Sequence, residues 1–174
     1  MKAISNAGPL IALAKLGQLG LLLELFAEIL IPREVYNEVV TKGLLIGAPD
    51  AESVDYLVRQ GQILVLDVTL PSPLPKWAQT IDIGEAQVIS LALDRRADWV
   101  LIDNAHARKA ARELGLELKG TIGLLMEALK LRHVSMREFE LLIHTVKASP
   151  SLWINDSLCD KALIHARKKD LSRK

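Results

Sequence analysis

Short aliphatic runs alternate with helix-length segments along most of this chain, and that alternation restricts the fold more than any other feature. A run of three to five apolar residues that is closed by a polar one and followed by a helix reads as a strand of a parallel sheet. Such strands are covered on both faces and need a crossover to return. Runs of this kind fall at residues 3–5, 28–31, 63–66, 98–102 and 116–118. Helices are expected between them over 9–15 and 19–26, from Pro32 at a first helical position through Val35 and Val39, and from Pro49 to the Gly61 stop. Residues 85–95 form another, and Ala107, Ala110, Ala111 and Leu114 mark one more before Gly115. The pattern predicts an α/β fold, a central parallel sheet between helical layers with right-handed crossovers.

Beyond residue 120 the pattern turns helical. Gly120-Thr121 opens a helix carrying Leu124, Leu125, Ala128 and Leu129. Ser135 and Glu138 have capping-box spacing before Phe139, Leu142, Ile143 and Val146, and Asp156 is the expected cap of a last helix reaching about Lys169. The 174 residues are read as a single domain with a C-terminal helical extension at about 133–174. Half the residues are hydrophobic but only 4% are aromatic, so the core should be aliphatic. The stretch 70–75, Leu-Pro-Ser-Pro-Leu-Pro, is expected as a surface loop near the site.

A net charge of +1 provides no global field for nucleic acid, so phosphate contacts must come from local clusters such as Arg108-Lys109 with Arg112, Arg95-Arg96, or the tail from Arg167 to Lys174. The single Cys159 suits a reducing compartment. The apolar stretch 10–31 is interrupted by Lys15, Gln18, Glu24 and Glu28, which argues against a signal peptide or membrane span and for a cytoplasmic protein.

Polar residues recur where the apolar runs end. Asn6 follows the first, Glu38 comes one turn into the helix after the second, Asp82 and Glu85 stand at cap spacing before an apolar helix, and Asp103-Asn104 close the run Trp99-Val100-Leu101-Ile102. Ligands of parallel sheets collect at the carboxyl ends of the strands, so these groups are candidates for one pocket, and carboxylates gathered there suit a hard cation. Each also has a plainer structural role: Asp82 and Glu85 as a capping box, Asp103 as a helix cap, Glu38 as a solvated side chain. The four histidines lack ligand spacing for zinc, His106 being nearest the acids, and no glycine-rich phosphate loop or nucleophile elbow is present.

The ordered pieces Ser5-Asn6-Ala7-Gly8-Pro9-Leu10, Ile31-Pro32 with Val35 and Glu38, Asp82-Ile83-Gly84-Glu85-Ala86, Leu101-Ile102-Asp103-Asn104 with Ala107-Arg108, and Gly120-Thr121-Ile122-Gly123 resemble the PIN domain. More narrowly, they resemble its poorly characterised PIN-like branch of bacteria and archaea, related to VapC-type toxins. The resemblance spans about residues 2–130. It implies a PIN-like three-layer α/β/α fold and a Mg²⁺- or Mn²⁺-dependent ribonuclease, the toxin of a toxin–antitoxin pair, acting on RNA as a homodimer.

Carried over by position, Glu38, Glu85 and Asp103 would be the catalytic acids. Asn6 and Asn104 would join them around the metal, Asp82 and Thr121 would be auxiliary, and Arg108, Lys109 and Arg112 would contact RNA. Asn6 and Asn104 stand where the family usually carries acids, which implies a second possibility, a weakened or inactive module that binds RNA or a protein partner. Association through aliphatic helices such as 19–26 is a third expectation.

Overall fold

Strand β1 (Lys2–Ser5) buries Ala3, Ile4 and Ser5 completely, because strands flank it on both sides. It pairs in parallel with β2 (Glu28–Pro32) and with β4 (Trp99–Leu101). Strand β3 (Leu64–Leu66) adds to β2, and β5 (Leu118–Lys119) adds to β4, which gives the all-parallel order β3-β2-β1-β4-β5. Helices join and cover these strands, the three-layer α/β/α arrangement expected of the alternating pattern. The computed structural model describes residues 1–171, with side chains to Lys169, so Arg173 and Lys174 of the basic tail lie outside the described residues.

The chain forms two compact units. Met1–Gly120 contains the whole sheet, and the second unit begins at Thr121. In the first, α1 (Ala7–Lys15) and α2 (Gly20–Leu25) connect β1 to β2, with a break at Gly17, whose φ is +65°. After β2 the chain passes through α3 (Arg33–Tyr36), a π turn (Asn37–Thr41) and α4 (Lys42–Leu45) without leaving helical geometry, and α5 (Pro49–Arg59) leads on to β3. Helix α6 (Ile83–Arg95) crosses from β3 back to β4, and α7 (Ala105–Glu113) joins β4 to β5. Strand order therefore reverses between β1 and β4, the position where open α/β sheets form ligand crevices.

The second unit packs α8 (Thr121–Lys130), α9 (Met136–Ala148) and α10 (Asp156–Leu171) against one another around Leu124, Phe139 and Ile143. Ser135 and Glu138 form the expected capping box of α9: Glu138 Oε2 accepts from the Ser135 amide at 2.7 Å, and Ser135 Oγ accepts from the Glu138 amide at 3.2 Å. Among the described residues no helix is long and apolar enough to cross a membrane.

Several local expectations are corrected. Pro32 is the last residue of β2 and precedes the first helical residue, since it still pairs with Leu66 in the sheet. The last strand sits at Leu118–Lys119, displaced from 116–118 by the left-handed Gly115 turn. Asp156 is already helical, and Asn155 caps α10 by accepting the Ser157 amide at 2.8 Å. The segment 19–26 is not a docking face, because Leu19, Leu21, Leu22, Leu25 and Phe26 are all buried in the first unit. The most exposed aliphatic residues of that unit are instead Leu45 and Ile46 at the end of α4.

Candidate active site

Each residue of the acidic set is placed by the backbone that precedes it. The Asn6 amide donates to the Leu101 carbonyl at 2.9 Å, extending the β1–β4 ladder one residue past the strand and fixing Asn6 beside the 102–103 step. Asn6 is almost buried, and its side chain does not cap α1 although it occupies the N-cap position. Asp103 follows fully buried Ile102 at the reversal point of the sheet. Its carboxylate lies against the first turn of α1, 3.4 Å from where a Cβ on Gly8 would stand. On its other side a Cβ on Gly120 would come within 2.6 Å of Asp103 Oδ1 and 3.3 Å of Arg108 Nη1. Only a residue without a side chain leaves room for this carboxylate and guanidinium together.

The second group of acids gathers at the N-terminus of α6. Glu85 is 6% exposed and accepts from the Asp82 amide at 3.3 Å, the return arm of a capping box. Glu38 reaches the same turn from the π turn, its Oε2 lying 3.8 Å from the Cβ position of Gly84. Val35 and Glu34 pack against that same glycine, so a bare backbone at position 84 admits the α3 segment to the start of α6. The π turn is the kind of local helix irregularity that re-aims side chains at functional sites.

Burial pushes the carboxyl groups of both Glu38 and Glu85 above their ordinary range. For Glu38 the Lys42 ammonium opposes the shift, while Asp82 and Glu34 add to it. For Glu85 the hydrogen bond from the Asp82 amide opposes the shift, the Asp82 and Glu38 charges add to it, and His106 opposes it. Among the described residues neither Glu38, Asp82 nor Glu85 forms an ion pair with a lysine or arginine. Buried Glu85 with exposed Glu38 and Asp82 beside it, three acids gathered at one helix start with only Lys42 and His106 opposing their mutual repulsion, form the kind of electrostatic environment found at functional sites.

These shifts fix a pH dependence. A carboxyl group whose folded-state pKa is raised stabilises the fold only below its unfolded value of about 4.3, and that contribution is lost as pH rises through the folded value. At neutral pH the charged forms of Glu38 and Glu85 are therefore disfavoured by the fold, and a cation bound between them would offset this. Addition of Mn²⁺ is expected to raise the melting temperature more at pH 7.5 than at pH 5, as read by calorimetry. An equal shift at both pH values would remove these two groups from cation binding.

The expected residues are partly brought together. Glu38, Asp82 and Glu85 share the start of α6, and Asp103 and Asn6 share the β1–β4 reversal. Among the described residues no three His, Cys, Asp or Glu side chains already converge on a single metal position. Asn104 departs from its expected place around a metal. Its Oδ1 caps α7 by accepting the amides of His106 at 2.8 Å and Ala107 at 3.2 Å, which occupies the oxygen a cation would need. Thr121 is the first residue of α8 and is fully buried.

Arg108 and Arg112 line one cleft, whereas Lys109, the residue between their two turns, does not. Residues that the spacing did not single out are Glu34, Gly8 and the Gly84 and Gly120 contacts. Only the four-residue spacing of Glu34 from Glu38 could have signalled one of them. The 70–75 loop is mostly exposed, as expected. Its approach is held by Gln87 of α6, whose Nε2 donates to the Val68 carbonyl at 3.1 Å, two residues beyond Glu85.

A comparison with protein families matches residues 2–168 to the family described as DUF3368: PIN domain. A search of curated proteins gives no match.

Proposed function

The chain belongs to the PIN-domain family, and from that premise we propose that it is a Mg²⁺- or Mn²⁺-dependent ribonuclease hydrolysing RNA phosphodiester bonds. PIN domains are nucleases that generally depend on divalent metal. The observation that carries the reading for this chain is the approach of Glu38, from the π turn, to the first turn of α6 where Glu85 stands, with neither carboxylate in an ion pair with lysine or arginine among the described residues. The donor set suits a hard cation, since it offers only oxygen atoms and repels itself. Glu38, Glu85 and Asp103 would hold it, with Asn6 adding an amide oxygen and Asp82 supporting Glu85 through the cap. A bound Mg²⁺ or Mn²⁺ supplies a polarised water and offsets negative charge on the phosphate.

The protein's own groups do the rest. The first turns of α1 and α6 present backbone amides on the side of the acids, an environment that tolerates concentrated negative charge. Arg108 and Arg112 attract the RNA backbone. Water then adds across one P–O bond of the strand.

The partner expectations, a second copy of the chain and an antitoxin, rest on the family; Leu45 and Ile46, 82% and 83% exposed, are the aliphatic tip from which such contacts could start. Buried Cys159 suits the cytoplasm.

A second reading is favoured by Asn6 and Asn104, one an amide at the sheet reversal and the other already spent on a helix cap. It is a PIN fold that binds RNA or a partner with little cleavage. One experiment separates the two: cleavage of labelled RNA by the purified chain and by its Asn6→Asp variant, with Mn²⁺, Mg²⁺ or EDTA. The nuclease reading expects metal-dependent cleavage by the natural chain, abolished by EDTA and raised about tenfold or more by Asn6→Asp, equivalent to about 1.4 kcal/mol of barrier. No cleavage by the natural chain, with activity gained only in Asn6→Asp, is the result of the binding module. No cleavage and no gain in either protein would overturn the site itself.

A further inference from the structure

Beside Asp103 lies a second feature that the acids do not use, a cleft of about 370 Å³ lined by Arg108, Arg112, Gly115, Leu116, Glu117 and Leu118. We propose that it is the seat of a backbone phosphate of the RNA strand at a nucleotide flanking the scissile bond, held by Arg108 and Arg112 together, with Glu117 limiting its affinity. This inference rests on the nuclease reading and deepens it.

Arg108 is built into position. Its Nη1 donates to the Ile102 carbonyl at 2.7 Å, its guanidinium closes over Gly120, and the Asp103 charge attracts it. A guanidinium has five N–H donors, so this single bond leaves others for a ligand. Arg112 stands one turn further along α7, exposed and without an acidic ion-pair partner among the described residues. The two like charges repel one another across this turn of α7. A like-charged pair at this spacing destabilises a helix, and a bound anion relieves that repulsion. Two forks of N–H donors on one wall match the paired oxygens of a phosphodiester.

Gly115 contributes no side chain to the opposite rim, while Leu116 and Leu118 are half-buried and offer apolar contact to the attached ribose. The exposed carboxylate of Glu117 faces the same space and opposes an anion. Lys109 does not line the cleft.

The probe is a fluorescein-labelled oligouridine of ten nucleotides, titrated in EDTA so that no cleavage occurs, with anisotropy as the readout over a salt series. Arg112→Gln is expected to weaken binding three- to tenfold and to reduce the slope of log K against log salt by about one. Glu117→Gln is expected to tighten binding severalfold. Opposite effects of two substitutions on one cleft cannot come from misfolding. Unchanged affinity in both Arg112→Gln and Glu117→Gln, or no binding by the natural chain, overturns the proposal. Because the readout needs no metal, failure of the nuclease reading appears separately, as binding with these signatures but no cleavage when Mn²⁺ is added.

Discussion

Glu85→Gln and Glu38→Gln are each expected to lower RNA cleavage by a hundredfold or more while leaving the melting temperature in EDTA unchanged or raised. A hundredfold loss corresponds to about 2.7 kcal/mol of transition-state stabilisation. The two halves of the expectation come from the same observation. Glu85 has a structural duty, accepting the Asp82 amide at the head of α6, and an amide side chain of the same shape keeps that acceptor. What the glutamine removes is a negative charge that burial, Asp82 and Glu38 already disfavour in the fold. Among the described residues the Glu38 side chain has no hydrogen bond to lose, and its carboxylate is disfavoured by burial and by its acidic neighbours. A site that costs stability and supplies function is the usual compromise at active sites. If the carboxylate were only a cap, Glu85→Gln would leave cleavage intact; if it stabilised the fold by its charge, the melting temperature would fall.

Gly120→Ala is the second large effect, expected to lower cleavage tenfold to a hundredfold. The added methyl would meet Asp103 Oδ1 at 2.6 Å and Arg108 Nη1 at 3.3 Å, so the carboxylate must turn aside. Displacement of a reacting group by about 1 Å is enough for losses of this size. The backbone at position 120 is not in the left-handed region, so the substitution tests space and not strain. Gly17→Ala behaves differently: its φ of +65° disfavours any side chain, but no atom lies near the new methyl. It is therefore expected to reduce stability by about 1 kcal/mol and leave the rate per folded molecule alone. Equal loss of specific activity in both variants would show that the Asp103 contact is not what Gly120 protects.

Much of this organisation is legible in the residues themselves, and the reason is that it is local. Capping boxes involve residues three apart, so Ser135 with Glu138 and Asp82 with Glu85 are visible without a structure. Strand β1 and strand β4 are short apolar runs ended by polar residues, and the order of the acids along the chain follows from the same punctuation.

What was not legible depends on packing between distant segments. The π turn at Asn37–Thr41 leaves no mark in propensity, yet it determines where Glu38 points. Asn155 and Asp156 are both good cap residues, and only the bond to Ser157 distinguishes them. Asn104 has the chemistry of a ligand and of a cap, and two backbone amides decide for the cap. The run 19–26 could have faced outward or inward, and burial shows that it faces inward. Nothing in the local sequence places Gly120 against Asp103, which requires β5 to lie beside β4.

Titration of Mn²⁺ into the full chain by calorimetry, beside the Glu38→Gln/Glu85→Gln double variant, addresses the acidic site without any reference to cleavage. The expected result is saturable binding by the natural chain, weaker at pH 5 than at pH 7.5 because protons compete for the raised carboxyl groups, and loss of that binding in the double variant. Binding of equal affinity in the two proteins would contradict a metal site at the head of α6.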